Sequence, residues 1–232
     1  MKILGISGSG RDEKTSNCYR LVKRILDSTG MDYELISLRG KVIRGCIACL
    51  GCVQDNVCVV KDDLWPLREK IVEADGYVIG APNYYSGINA TTAALLERWF
   101  QFRHRTGDLL WGKSAVAVGV GGGDGSVVAD RIEQIMGYNF IETVAKVSGQ
   151  GTASCFSCGY GESCKVGVPC MLYGEGVKIT KEMIPDISKQ PQVLQAAEQA
   201  GKELAKRLVG HNRSEITKKM QKIMMEHFKK SV

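Results

Sequence analysis

Eight of the nine cysteines in this 232-residue chain fall in two short runs. The run "CIACLGCVQDNVC" sets Cys46, Cys49, Cys52 and Cys58 at x2, x2, x5 spacing. The run "CFSCGYGESCKVGVPC" sets Cys155, Cys158, Cys164 and Cys170 at x2, x5, x5. Scattered core cysteines would not group in this way, so metal binding or redox chemistry is the default for both. Three thiolates at x2 intervals can take successive corners of an iron–sulfur cube, although the proline of ferredoxin runs is replaced here by Val59. Zinc sites more often use two CxxC pairs separated by about 12 residues or more. The first spacing therefore favours a [4Fe–4S] cluster, with zinc and free redox thiols as the alternatives. In the second run Gly159, Gly161 and Gly167 let a short loop fold around a small object. A second iron–sulfur cluster or a structural zinc would use four thiolates there, and a glycine-rich lid with reactive thiols is the bland reading. The ninth, Cys18, reads as a helix residue and not a ligand.

A second constellation lies near the N-terminus, in "GSGRDEKTSN" at residues 8–17. It nearly matches the Walker and dinucleotide patterns, and both fail at Glu13, where each needs glycine. What remains is a set of donors. Ser7, Ser9, Thr15 and Ser16 carry hydroxyls, Asn17 an amide and Arg11 a forked cation, ahead of a helix N-terminus with free N–H groups. That set suits a terminal monophosphate dianion. If Thr15 or Ser16 were only an N-cap, one hydroxyl would be explained but not their density.

Two further segments fit a flat ligand. In "APNYYSGINA" the adjacent Tyr84 and Tyr85 are costly to expose, although one could be buried under the next helix. In "GVGGGDG", Gly121, Gly122 and Gly123 let backbone approach a ligand, or simply turn. The three histidines are not at ligand spacing, and no Ser-His-Asp set or paired catalytic carboxylate stands out.

The elements that must position these residues alternate. Strands are expected at 2–7, 32–38, 76–81 (ended by Pro82), 113–120 and 139–148, and helices at 16–28, 89–102, 126–137 and 191–209. A further helix is expected to open at Asp62-Asp63, where acids suit the positive dipole end. This pattern predicts an α/β fold, a doubly wound five-stranded parallel sheet in the order 2-1-3-4-5. Every candidate segment then follows a strand and lies at the carboxyl edge of the sheet, where such folds bind ligands. One domain over 1–210 carries cysteine-rich insertions at 41–60 and 149–178, followed by a basic amphipathic tail at 211–232.

Composition bounds the rest. The chain is 44% hydrophobic and 24% charged with a net charge of +6. Of this, +4 sits in the tail, so the body lacks the basic stripe of a nucleic-acid protein. No apolar run approaches the ~20 residues of a membrane span, and no secretory leader is evident, so a cytoplasmic protein is expected. In the tail Ile216, Met220, Ile223 and Phe228 form a stripe suited to docking on a neighbour or second subunit, so a homo-oligomer is expected.

The segment "GISGSGRDEKTSN" resembles the FMN-phosphate loop of the NADPH-dependent FMN reductase family, G-S-P-R followed by S-N-T. Gly10 replaces the proline and Cys18 the threonine. The resemblance implies a flavodoxin-like fold, with Ser9, Arg11, Ser16 and Asn17 around an FMN phosphate and Cys18 beside them. "APNYYSGINA" resembles the family's S-P-x-Y-x-G segment, which implies Pro82, Asn83, Tyr84, Tyr85, Ser86 and Gly87 around the flavin ring. Gly121, Gly122 and Gly123 would face the ring's pyrimidine edge. The first cysteine run, followed by Asp62-Asp63, resembles the iron–sulfur flavoproteins within that family. The implied activity is electron transfer from a ferredoxin-like carrier or NAD(P)H to an acceptor. The rivals are a cluster-free NAD(P)H:FMN or quinone reductase, a non-catalytic electron carrier and a zinc-stabilised binding module.

Overall fold

The structure, a computed structural model, describes residues 1–105 and 107–231. Strands β1 (Lys2–Ser7), β2 (Asp32–Ser37), β3 (Gly76–Tyr84), β5 (Ser114–Gly121) and β6 (Glu142–Gln150) form a parallel sheet in the order β2-β1-β3-β5-β6. This is the expected order with one addition: β4 (Gly87–Ile88), a two-residue strand, pairs antiparallel with the end of β3. The helices are α1 (Asn17–Asp27), α2 (Arg68–Glu73), α3 (Ala90–Glu97), α4 (Ser126–Tyr138), α5 (Val168–Tyr173), α6 (Pro191–Val209) and α7 (Arg213–Ser231).

Alternation along the strands builds two cores. Ile3, Val78, Val116 and Val118 pack under α1 and α6 with Leu21, Val22, Ala197 and Leu204. Leu4, Ile6, Tyr77, Ile79 and Ala117 face the opposite way, against Ile71, Leu95, Trp99, Ile132 and Met136. Successive side chains point to opposite faces of a strand, so a sheet buried on both sides needs apolar residues at nearly every position. The strand order and the two helical layers make the fold flavodoxin-like.

Three local expectations are corrected. Pro82 does not end β3, which continues to Tyr84 with Pro82 opposite Val120. Gly80 turns its carbonyl toward β1, where it accepts from Gly8 N–H at 2.7 Å. Pro82, two residues on, turns the same way, beyond the last residue of β1, so its missing N–H breaks no ladder bond. Asp62 and Asp63 do not open a helix. Their carboxylates instead accept from the N–H groups of Arg44 (2.9 Å) and Val42 (2.6 Å), and the helix starts at Arg68 after a 3-10 turn over Trp65–Leu67. The helix expected over 89–102 divides into α3 and a 3-10 turn at Arg98–Phe102.

The tail docks on its own domain. Ile216 is buried, and the methyls of Met220 and Met224 lie over Gly137 of α4, while Ile223 and Phe228 stay half-exposed. Among the described residues no helix is long and apolar enough to cross a membrane.

Candidate functional site

The loop from β1 to α1 crosses the carboxyl edge of the sheet between β1 and β3. Gly8 lies so close to α3 that a Cβ would sit 1.8 Å from the Thr92 hydroxyl. Ser9 and Ser16 are buried, and each hydroxyl oxygen accepts a local N–H: Arg11 to Ser9 at 3.2 Å, and Tyr19 to Ser16 at 3.1 Å. Ser16 is thus the N-cap of α1. Both hydroxyls accept in these contacts and keep their own protons for another acceptor. The Arg11 guanidinium has no hydrogen-bond or ion-pair partner among the described residues.

These groups open onto a cavity of about 220 Å³. From the expected set it brings together Ser9, Arg11, Ser16, Asn17 and Cys18 from the first loop. Pro82, Asn83 and Tyr84 join from β3, and Gly121 and Gly122 from the end of β5. Asn83 donates from Nδ2 to the Asp124 carbonyl at 2.8 Å, which leaves its buried Oδ1 without a donor. Gly122 approaches Ala153 so closely that a Cβ would lie 3.0 Å from the alanine's own.

Four expected residues do not line the cavity. Tyr85 and Ser86 form the tip of the β3–β4 hairpin at φ +50° and +59°, and Tyr85 is fully exposed. Gly87 lies in β4, and Gly123 has open space around it. Thr15, one of the supposed phosphate donors, gives its proton to the Asp12 carbonyl at 3.2 Å. Ser7 turns inward to Cys18. Burial pushes the Cys18 thiol up to about 12, although hydrogen bonds from Ser7 and the Gly8 and Ser9 backbone act in the opposite sense. It remains a neutral thiol at physiological pH.

Sequence reasoning missed one wall. Gly151, Thr152, Ala153 and Ser154, directly after β6, line the cavity. The carboxyl-edge rule marks this segment, but the cysteines that follow it drew the reading away. Asn17 also does more than face a ligand. Its Oδ1 accepts from Ile187 N–H (2.9 Å) and Arg20 (2.7 Å), and its Nδ2 donates to Thr152 (3.3 Å). It is mainly a strut between distant segments, with one amide proton to spare.

The first cysteine run, a loop with one 3-10 turn at Gly51–Val53, is pinned to the end of α3. Cys46 N–H donates to Glu97 (3.3 Å) and Cys58 N–H to Gln101 (3.0 Å). Arg98, buried with Asp62, bonds the Arg44 and Val60 carbonyls and pairs with the Asp62 carboxylate. Burial alone would raise the Asp62 carboxyl, but the Arg44 and Leu64 N–H groups and Arg98 outweigh it and hold it below the usual range. Ala48 and Leu50, flanking Cys49, sit at φ +52° and +57°, a left-handed backbone that non-glycine residues rarely adopt. Burial raises the Cys52 thiol, with smaller contributions in the same sense from Cys58, Cys46 and Cys49. Among the described residues no three His, Cys, Asp or Glu side chains stand where a metal ion could be held. A single tetrahedral ion would need sulfurs about 3.8 Å apart, from Zn–S bonds of about 2.3 Å, whereas the corners of a cube are more widely spaced. Four soft thiolate donors are of the kind that iron–sulfur clusters and zinc both take.

Several known proteins resemble the chain in sequence or fold. The chain is 34% identical over 156 residues to an iron-sulfur flavoprotein of Methanocaldococcus jannaschii, covering 63% of this chain and 76% of that one. It is 31% identical over 147 residues to an iron-sulfur flavoprotein of Archaeoglobus fulgidus, covering 63% and 75%. Among solved structures, RosB with bound 8-demethyl-8-formylriboflavin-5'-phosphate superposes with a TM-score of 0.62 at 16% identity, over 96% of this chain and 81% of that one, a likeness of fold. Residues 1–152 match the model of NADPH-dependent FMN reductases, and the chain belongs to that family of FMN-dependent oxidoreductases, in its iron–sulfur flavoprotein branch.

Proposed function

We propose that the cavity holds FMN, that Cys46, Cys49, Cys52 and Cys58 hold a [4Fe–4S] cluster, and that the protein passes electrons between a reduced carrier or NAD(P)H and an acceptor. The observation that carries this reading is the unpaired Arg11 guanidinium beside two buried hydroxyls with unspent protons, at the N-terminus of α1. A phosphate dianion supplies the acceptors these groups lack. FMN takes up one or two electrons reversibly, and a cluster passes one at a time.

The chain's own residues bind and orient. Arg11, Ser9 and Ser16 neutralise and fix the phosphate. Asn83 Oδ1, buried without a donor, would accept an N–H from the ring, Tyr84 would wall one side, and Gly121 and Gly122 would admit backbone contact. The cavity lining contains no His, Asp, Glu or Lys. Where cofactors carry the chemistry, the site's own residues bind and orient and need not supply a general acid or base.

The test is the visible spectrum of anaerobically purified protein, with iron and acid-labile sulfide assays. Flavin bands, broad thiolate–iron absorption and equal iron and sulfide are expected. The lack of converged thiols favours a second reading, the cluster-free reductase. Flavin bands without iron or sulfide would establish that reading. A colourless protein would sink both.

A further inference from the structure

We infer that the space between α4, the start of β6 and the tail helix α7 is a binding site for a neutral aromatic molecule of about two fused rings that carries one hydrogen-bonding group. The inference is independent of what fills the cavity at the carboxyl edge.

The sequence supplies the opening. Gly137 stands in the last turn of α4, although glycine is a poor helix former. A Cβ there would meet the tips of two side chains of α7, Met224 Cε at 3.6 Å and Met220 Cε at 3.9 Å. Beside these tips lies a cavity of about 290 Å³. Tyr138, Ile141, Met220, Ile223 and Met224 give it an apolar lining. A thioether is polarisable and its chain is flexible, so two methionines can adapt to a flat ring and contact it favourably through sulfur.

The polar groups of the lining narrow the ligand further. Glu142 accepts from Arg207 Nε and from Lys219 Nζ, both at 2.6 Å, and Glu133 accepts from Lys146 at 2.7 Å. These carboxylates and Lys219 are already paired, so a charged ligand would lose its water and gain no partner from them. Thr143 is different. Val144 packs against the core under α6, so its neighbour Thr143 turns to the opposite, α4 face, where it lines the cavity. Its hydroxyl is buried and has no hydrogen-bond partner among the described residues. An unmade bond of this kind is costly, and a hydroxyl on the ligand makes it. One hydroxyl in an apolar wall selects a ring with one polar substituent.

The location gives the site a task. Thr143 lies at the opposite end of β6 from Gly151, which lines the carboxyl-edge cavity, roughly 25 Å away along extended chain. The occupant therefore acts on the tail and not on the electron-transfer site. α7 is fixed at its start, where Arg213 donates to the Trp111 and Asp108 carbonyls at 2.9 and 2.8 Å and Ile216 is buried. A ring held between Tyr138 and Met224 fastens its second half as well.

The test is equilibrium dialysis of the full chain, in excess FMN, against 2-naphthol and against 2-methylnaphthalene, which has nearly the same shape and no hydroxyl. One 2-naphthol per chain is expected, with slower hydrogen exchange over residues 220–230. Thr143→Val should weaken 2-naphthol roughly 3–10-fold, the worth of one neutral hydrogen bond, and leave 2-methylnaphthalene unchanged. Gly137→Leu fills the space and should abolish binding of both. Should that variant fail to fold, Ile223→Glu is read instead: Ile223 is half-exposed, and a carboxylate in the wall should weaken both probes. Absence of binding to wild type overturns the inference, as does equal 2-naphthol affinity in wild type and Thr143→Val. A wild-type dimer that excludes the probe and dissociates in Ile223→Glu would give the surface to a second copy and overturn it as well.

Discussion

The two cysteine regions have equal numbers of thiols and opposite means of support. The first is held from outside: Glu97, Arg98 and Gln101 reach from the end of α3 to its backbone, and Cys46 and Cys49 are exposed. The second is held from within, by glycines at backbone contact, with Cys170 buried. They leave the sheet from its two outermost strands, β2 and β6. Those strands are four interstrand steps apart, about 19 Å at the usual spacing of ~4.8 Å. The cavity lies between them and touches only the second. The two regions therefore differ in the scaffold around the thiols and not in their number.

The sharpest way to break the comparison is Arg98→Met. It leaves the Asp62 carboxylate buried and unpaired, which should cost about 3–5 kcal/mol in denaturant unfolding. The first region should lose any metal it holds, while hydrogen exchange in the second is unchanged. A selective loosening of the second region would show that the external clamp is misassigned.

Arg11→Ala addresses the cavity between them. Removing one charge-assisted bond should weaken FMN by about 1.5–3 kcal/mol, roughly 10–150-fold, with both regions unaffected. Fluorescence titration reads it, and unchanged affinity would remove Arg11 from the phosphate site.

Acid should separate the regions more gently. Asp62 titrates lower in the folded chain than unfolded, so its stabilisation is complete above the unfolded value of about 3.9 and is lost as pH falls through the lower folded value. Hydrogen-exchange protection factors over residues 42–63, which are corrected for the intrinsic pH dependence of exchange, should therefore fall below about pH 4. A fall in protection on raising the pH from 5 to 7 would contradict the sign.

The smallest effect concerns Cys18. With its thiol at about 12, it should resist iodoacetamide at pH 8 in native, metal-free protein, while exposed Cys46 and Cys49 react. Modification of Cys18 at a similar rate would mean that the loop above it opens.

Much of this arrangement was legible from residue types. Buried strands announce themselves as β-branched runs, and their alternation with helices marks the carboxyl edge, so the β1–α1 loop and the β3 and β5 ends that line the cavity were found. What escaped depends on partners remote in sequence. Asn17 reads as a ligand because its partners Thr152 and Ile187 lie 135 and 170 residues away. Asp62-Asp63 reads as a helix start because nothing nearby reveals Arg98. The β3–β4 hairpin was hidden because its tip is Tyr85-Ser86, where a two-residue turn with positive φ ordinarily carries Asn or Gly.

The strut at Asn17 has a consequence for how the second insertion is attached. Thr152, which accepts from Asn17, gives its own proton to the Pro185 carbonyl at 2.8 Å, and Asn17 also takes the Ile187 N–H. The stem of the insertion is therefore shut by a hydrogen-bonded ring, and residues 153–184 hang from it as a cassette whose two ends already touch. Loop-closure entropy grows only slowly with length, so such a cassette can be lengthened, shortened or exchanged at little thermodynamic cost to the sheet beneath. The carboxyl edge at β6 is a socket, into which this chain has plugged its four cysteines.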